Sequence, residues 1–380
     1  MAQENIIIIG GGFAGLVLAE RLSARKNSLG TGTRIILIDK KDDSHFLPGI
    51  PDIIGRGVPS GIFKYPIAKH AARHGYVHLK HNVTSIDPTR NVVEAGGFRI
   101  GYEYLVIAAG SETNFYGNDK IKNAAFRFDD ADDVVKVLEA VNEDKYERYL
   151  ICGGGYTGVE IATSLRIFLS RGKKNKEIHL VEAGSGILGP MPEWIKEYTR
   201  ANLAALGINV LTGVTVRSYE NGIVTLSDGM MFDNSMLVWS AGVKTPAFVE
   251  KTPFSKERQG RLSVDEYLRV KDNIFVAGDC AGMTYKGELI RMGIQFSIEE
   301  AGSIARNIAR DIRRKKLRRF VPIDPGYIIP MANNLSCGMV FGRRVRGRAA
   351  TCAHYLMCLV RLRGLKNKKV LFTALMRKRT

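Results

Sequence analysis

Short, unbroken apolar runs that stop at glycine recur along the chain. The first, Asn5-Ile-Ile-Ile-Ile-Gly10, lacks the alternation of a half-wet strand and is predicted to be a strand buried on both faces. A turn, Gly10-Gly-Gly12-Phe-Ala-Gly15, follows it. Leu16 to Ala24 then reads as a helix, and a second strand, Arg34-Ile-Ile-Leu-Ile38, ends at Asp39. The pattern returns further on. Tyr149-Leu-Ile-Cys152 is a strand, Gly153-Gly-Gly155-Tyr-Thr-Gly158 a turn, Val159 to Phe168 a helix, and Glu177-Ile-His-Leu-Val181 a strand that ends at Glu182. Twenty-four residues separate Gly15 from Asp39, and twenty-four separate Gly158 from Glu182. One such glycine motif is a weak signal, whereas two in register, each closed by an acid, are specific.

The spacing has a physical reading. In a strand–turn–helix unit of this kind the first glycine makes the tight turn and the second admits a pyrophosphate to the backbone. The third lets helix and strand pack closely, and the helix N-terminus lends partial positive charge. Asp39 and Glu182 are placed to accept ribose hydroxyls. A carboxylate at Glu182 repels a 2′-phosphate, and Ala183-Gly184-Ser185 supply no arginine to hold one, so NADH is expected over NADPH. Lys173, Lys174 and Lys176 in the preceding loop pull the other way. Three further apolar strands break at small residues: Tyr104 to Ala109-Gly110, Met236 to Ala241-Gly242, and Asn273 to Gly278-Asp279. Singly, each reads as a buried strand with a glycine turn.

Composition narrows the classes. At 380 residues the chain has room for two or three domains, and no apolar run reaches the ~18–20 residues that cross a bilayer. Met1 to Asn5 carries no basic region, so no signal peptide is readable and a cytoplasmic location is expected. The net charge of +18 sits wholly in residues 301–380, where 20 Lys or Arg face only Asp311 and Asp324. That imbalance calls for an anionic partner, a membrane surface or a nucleic acid. Five scattered cysteines without a CxxC pair argue against a disulfide framework, and the histidines show no ligand spacing with them, so no metal site is predicted.

The ordered set Gly10–Gly15, Ala108–Gly110, Gly153–Glu160, Ala241–Gly242 and Gly278–Asp279 resembles the two-dinucleotide-binding flavoproteins, the pyridine nucleotide-disulfide oxidoreductase family. The resemblance implies an α/β fold of two Rossmann-like, glutathione-reductase-like domains. FAD would occupy a discontinuous domain of residues 1–111 and 246–330, and NADH a domain of residues 112–245. It implies FAD contacts from Gly10, Gly12, Gly15, Asp39 and Lys40, from Val83 at the adenine, and from Ala109, Gly110, Gly278 and Asp279, the last at the ribitol. For NAD it implies Gly153, Gly155, Gly158, Glu182 and Gly242, with Glu160 on the nicotinamide side of the flavin.

The segment after Asp39 holds no cysteine, so a thiol relay beside the flavin is excluded. His45-Phe-Leu-Pro48, Trp239-Ser-Ala-Gly-Val243 and Gly260 to Arg269 instead resemble type II NADH dehydrogenases, the single-subunit NADH:quinone oxidoreductases. That resemblance implies hydride transfer from NADH to FAD and delivery of two electrons to a quinone. Gln295 matches the first glutamine of the family's quinone motif, while Glu299 stands where a second is expected; the pair, one helical turn apart, also fits a solvated helix face. Residues 331–380 are expected to form a basic, amphipathic helical region anchoring the protein, monotopically, to the anionic cytoplasmic face of the cell membrane. A homodimer is compatible with this reading, and nucleic acid is not expected as a partner. Three rivals stand beside it. A soluble NAD(P)H-dependent reductase of a ferredoxin or other protein acceptor would use the basic tail for docking. A sulfide:quinone oxidoreductase needs two thiols near the flavin, and Cys337 alone sits in a suitable region. A redox-sensing nucleic-acid binder would use the same tail.

Overall fold

The isoleucines of strand Asn5–Ile9 alternate between two covered faces of one sheet. Ile6 and Ile8 join Ile35 and Leu37 on one side; Ile7 and Ile9 join Ile36 and Ile38 on the other. A fully buried side chain of this kind stabilises the fold by about 1.5–3 kcal/mol, which is why the run needs no polar alternation. The computed structural model describes residues 4–30 and 32–376. Met1–Gln3, in the stretch read for a signal peptide, Thr31, and Arg377–Thr380, the end of the expected basic anchor, lie outside the described residues.

The chain divides into two units. The first comprises Met1–Ser44, Tyr65–Glu112 and Val243–Asp324. Its six-stranded sheet runs in the order Arg269–Lys271, Ile274–Val276, Tyr104–Ile107, Asn5–Ile9, Arg34–Asp39, Val77–Lys80, parallel except for the Arg269–Lys271 edge. Helices Phe13–Ser23, Ile67–His74 and Ile294–Ile312 cover one face with Leu16, Leu22, Ala71, Ile304 and Ile308. The antiparallel strands Val83–Asp87, Val92–Ala95 and Phe98–Gly101 bring Val83, Ile86 and Val93 to the core of the other.

The second unit comprises His45–Lys64, Thr113–Gly242 and Pro325–Thr380. Its parallel sheet has the order Ile208–Thr212, Glu177–Glu182, Arg148–Cys152, Ser235–Trp239. Helix Tyr156–Arg171 follows the glycine turn, and the meander Val216–Glu220, Ile223–Leu226, Met231–Phe232 supplies Tyr219, Val224 and Leu226 to its core. Three antiparallel strands, Gly326–Ile329, Ser336–Val340 and Arg343–Arg346, lead into helices Gly347–Arg361 and Leu365–Met376.

Two stretches divide differently from the boundaries expected of the sequence. Residues 45–64 group with the second unit because helix Pro51–Arg56 lies against helix Tyr156–Arg171. The approach is close enough that a Cβ on Gly55 would stand 2.8 Å from the Ser164 hydroxyl. The C-terminal region joins the same unit. The amide of Ala332 donates to Thr163 Oγ1 at 3.3 Å, and Thr199 meets Cys337 at 3.5 Å. Both turn helices also start earlier than the apolar pattern suggests, at Phe13 and Tyr156, directly after their glycine N-caps.

Candidate active site

The two glycine turns are the same object built twice. Gly10 has φ +108° and Gly153 φ +111°, a region that L side chains rarely adopt. A Cβ on Gly15 would stand 1.8 Å from the carbonyl oxygen of Gly10, and one on Gly158 would stand 1.8 Å from that of Gly153. These third glycines therefore let helix and turn interlock. Gly12 and Gly155 differ in kind: a Cβ on either would meet no protein atom within 4 Å. Each is the N-cap of its helix, and neither helix has a capping side chain. With no capping side chain on either helix and a middle glycine that faces open space, each turn has the shape of a phosphate cradle.

The closing acids behave alike too. Asp39 Oδ2 accepts the Gly11 amide at 2.5 Å and Oδ1 the Lys41 amide at 2.7 Å. Glu182 Oε2 accepts Gly154 N–H at 2.7 Å and Oε1 accepts Gly184 N–H at 2.7 Å. Each carboxylate is locked against its own glycine turn, with further lone pairs for ribose hydroxyls. Arg200, from helix Glu193–Ala205, comes within 3.4 Å of where a Cβ on Gly186 would stand. A guanidinium thus borders the loop that follows Glu182, a neighbour that reading residues 183–185 alone does not count. Gly242, with φ +73°, faces Tyr116: a Cβ there would stand 2.1 Å from the hydroxyl.

In the first unit Gly10, Asp39, Lys40, Val83 and Ala109 line one cavity of about 410 Å³. That volume lies within the usual range for ligand pockets, about 300–1,000 Å³. Gly110, Gly278 and Asp279 form a second constellation in this unit. Ser111 Oγ donates to Asp279 Oδ2 at 2.8 Å, Cys280 Sγ donates to the Gly110 carbonyl at 3.1 Å, and Gly278 N–H donates to Glu300 Oε2 at 2.6 Å. Burial pushes the Asp279 carboxyl up and the Glu300 carboxyl up to about 7. Arg261, itself buried, donates to the carbonyls of Ala281 and Ile290 and offsets part of this by its charge. Sequence reasoning missed Glu300, Arg261 and Ser111. Glu300 directly follows Glu299 on an amphipathic helix, and only the fold turns it inward. An uncapped glycine cradle, a cavity ending at the acid, and a polar group around Asp279 together fit the FAD that the resemblance implies.

Gln295 and Glu299 are brought together on helix Ile294–Ile312, where the Gln295 amide donates to Glu299 Oε1. The other Glu299 oxygen accepts Ile323 N–H at 3.1 Å. Both side chains are half-buried rather than fully solvated.

Glu160 lies in the second unit, beside a cavity of about 20 Å³, room for one water, that Asp52, Ser164, His354 and Tyr355 also line. Part of its surface opens to that cavity, yet protein atoms crowd the carboxyl, and the crowding governs its proton affinity. Burial, with the Asp52 charge second, raises its pKa to about 8, while burial and Arg56 lower that of His354 to about 4. Near neutral pH Glu160 therefore holds a proton and His354 does not. Tyr355 donates to Asp52 Oδ1 at 2.8 Å, and Arg56 pairs with the same oxygen at 2.9 Å. None of Asp52, Arg56, His354 and Tyr355 stands out in the sequence, since a fold contact, not a motif, assembles them.

Residues 4–301 match the family model described as pyridine nucleotide-disulphide oxidoreductase. The chain belongs to this family. Its curated relatives include the demethylphylloquinone reductase NdbB of Synechocystis sp., 28% identical over 95% of this chain and 92% of that protein. They also include the type II NADH:quinone oxidoreductase of Haemophilus influenzae, 24% identical over 93% of this chain and 92% of that one. The structure of NDH2 from Plasmodium falciparum in complex with NADH superposes with a TM-score of 0.85. It covers 98% of this chain and 97% of that one at 18% identity, a likeness of fold. Burial drives Cys152 and Cys280 up to about 12 and raises Cys337 as well, so none is poised as a thiolate.

Proposed function

We propose that the protein is an FAD-dependent NADH:quinone oxidoreductase. The observation that carries the reading is the pair of glycine cradles, each uncapped, each open at its middle glycine and each closed by a carboxylate held on its own turn. The cavity beside Gly10, Asp39 and Val83 suits the adenosine end of FAD, and Asp279 with Ser111 suits a polyol hydroxyl. NADH takes the second cradle, with Glu182 on its ribose. FAD held by these residues would supply a hydride acceptor and two-electron delivery to the quinone, while the protein orients the partners and excludes water. The Synechocystis and Haemophilus relatives, a demethylphylloquinone reductase and an NADH:quinone oxidoreductase, support a quinone as acceptor. Gln295 holds Glu299 in one orientation, and that pair positions the quinone or its proton. Glu160, protonated near neutrality, is a proton reserve. The buried, high-pKa Cys337 speaks against a sulfide:quinone reaction, which needs two reactive thiols.

The acceptor comes from a membrane. No helix among the described residues is long and apolar enough to cross one. Helices Gly347–Arg361 and Leu365–Met376 nevertheless expose Leu356, Val360, Leu365, Phe372 and Met376, interleaved with Lys366, Lys368 and Lys369. Apolar side chains among cations suit shallow insertion into an anionic leaflet, on the cytoplasmic face in this reading. Flotation with anionic but not zwitterionic vesicles is the expected behaviour, and equal flotation with neither would remove the anchor.

The deciding experiment is an anaerobic absorbance titration of the yellow protein with NADH, then with a short-chain quinone. Bleaching by NADH and recovery with quinone are expected. Bleaching with recovery only on a ferredoxin would make it a soluble protein reductase, and bleaching by sulfide instead of NADH would overturn the reading.

A further inference from the structure

Helix Ile67–His74 carries His70 and His74 four residues apart, so both imidazoles fall on one face. Their ring centroids are 4.3 Å apart. Helix Phe13–Ser23 brings Glu20 to the same place, with Oε2 3.5 Å from His70 Nε2. One donor atom from each of the three residues lies within 4.8 Å of the other two. His70 is fully buried, whereas Glu20 and His74 are partly exposed, so the cluster has a protein side and a solvent side.

The protein side is organised. His70 Nδ1 lies 2.8 Å from the hydroxyl of Tyr76, which is itself buried, and the Tyr65 ring stands edge-on to the imidazole at 6.0 Å. A ring held through Nδ1 presents Nε2 toward Glu20 in a fixed orientation. This is how a metal-ligating imidazole is ordinarily supported by a second hydrogen bond. Two histidines and one carboxylate, two from one helix and one from its neighbour, surround a point open to water on its remaining side.

We propose that Glu20, His70 and His74 form a binding site for one divalent transition cation. Two imidazole nitrogens and a carboxylate oxygen select borderline ions such as Zn²⁺, Co²⁺ or Ni²⁺ over Ca²⁺ and Mg²⁺, which prefer all-oxygen shells. Water completes the coordination. Bonds of about 2.0–2.2 Å set tetrahedral donors roughly 3.4 Å apart, so donors that lie within 4.8 Å of one another close the rest by small rotations of the partly exposed Glu20 and His74. The ligating nitrogens must be free of protons, so any proton that His70 Nε2 or the ligating nitrogen of His74 carries leaves to solvent when the ion binds. No histidine–cysteine spacing marks this set in the sequence, because Glu20 reaches it only through the fold. Occupancy clamps two helices beside the first glycine turn: Ile67, at the start of one, lies 2.5 Å from where a Cβ on Gly11 would stand.

The test uses tag-free, flavin-loaded protein, titrated with Co²⁺ and followed by its d–d absorption to the red of the flavin, with Zn²⁺ as competitor in equilibrium dialysis. One saturable ion per chain is expected, with a proton released on binding and a higher thermal midpoint that a chelator reverses. His74→Ala and Glu20→Gln should abolish the saturable ion while flavin absorbance shows that the fold is intact. Tyr76→Phe should weaken binding roughly tenfold to a hundredfold, the usual loss when such a support is removed. Cys352→Ser should change nothing. Unchanged Co²⁺ binding in His74→Ala, loss of binding in Cys352→Ser, or no saturable ion in the parent protein would each overturn the proposal.

Discussion

The Glu300 carboxylate accepts the amide of Gly278 at 2.6 Å, one residue before the carboxylate of Asp279. Burial lifts Glu300 from 4.5 in the unfolded chain to about 7 in the fold. An acid that binds its proton more tightly when folded stabilises the protein fully below the lower value and loses that contribution as pH rises through the upper one. Glu300→Gln keeps an acceptor for Gly278 but cannot ionise. Thermal midpoints measured from pH 5 to pH 8 should therefore fall more steeply in the parent protein than in the variant. At pH 8 the variant should be the more stable by roughly 1–3 kcal/mol. Parallel pH profiles would show that Glu300 ionises without cost.

The glycines separate a folding role from a binding role. Gly15→Ala drives a methyl onto the Gly10 carbonyl, a backbone atom that no rotamer can clear. It should cost roughly 1–3 kcal/mol or more and yield little soluble protein. Gly12→Ala meets no protein atom within 4 Å, so the chain should fold with near-normal stability and yet be purified with little flavin. Gly155→Ala should keep its flavin and lose affinity for NADH. Circular dichroism with flavin absorbance reads all three, and a Gly12→Ala protein as yellow as the parent would mean that the open space is not the phosphate cradle.

Much of this was legible in the sequence, and for a physical reason. Both cradles are local: a strand, a turn and a helix contiguous in the chain, with an acid at a fixed distance. Backbone geometry alone thus fixes which glycine does what. The strand ending in Gly278-Asp279 is local too, but only the family resemblance singles Asp279 out from it. What stayed hidden depends on contacts between distant segments. Tyr355 meets Asp52 across some three hundred residues, and Arg261 reaches the Ala281 carbonyl only once the turns around them are folded. Glu300 looks, in sequence, like one more acid on a polar face beside Glu299. The grouping of residues 45–64 with the second unit is hidden for the same reason, since it depends on distant segments such as Ser164 against Gly55 and Tyr355 against Asp52.

Cofactor choice at Glu182 follows from how its carboxylate is tied. Bonds from Gly154 and Gly184 fix the carboxylate on its own turn, so in the proposed reading it accepts ribose hydroxyls without first reorganising. Glu182→Ala should raise KM for NADH about tenfold, equivalent to ~1.4 kcal/mol, with kcat little changed. Removing the negative charge, with Arg200 bordering the loop after residue 182, should at the same time lower KM for NADPH. Steady-state kinetics with both nucleotides and one quinone decides it, and an unchanged ratio of the two KM values would take the discriminating role away from Glu182.

Gln295 and Glu299 raise the question of whether a helix-face pair is functional or merely solvated. Solvated pairs one turn apart contribute ~0.2–0.5 kcal/mol to a helix and leave chemistry alone. Here the Glu299 carboxylate is fixed from two directions, by the Gln295 amide and by the backbone of Ile323. Gln295→Ala frees one oxygen of a group that is otherwise immobilised. If the pair positions the quinone, the rate of flavin reduction by NADH in a stopped-flow mixing experiment should be unchanged. Reoxidation by quinone should slow by about tenfold, a loss of ~1.4 kcal/mol at the second half-reaction alone. Gln295→Glu, which sets two carboxylates against each other, should slow it further and make the loss smaller at low pH, where one proton joins them. Equal reoxidation rates in all three proteins would return the pair to the status of a polar helix face.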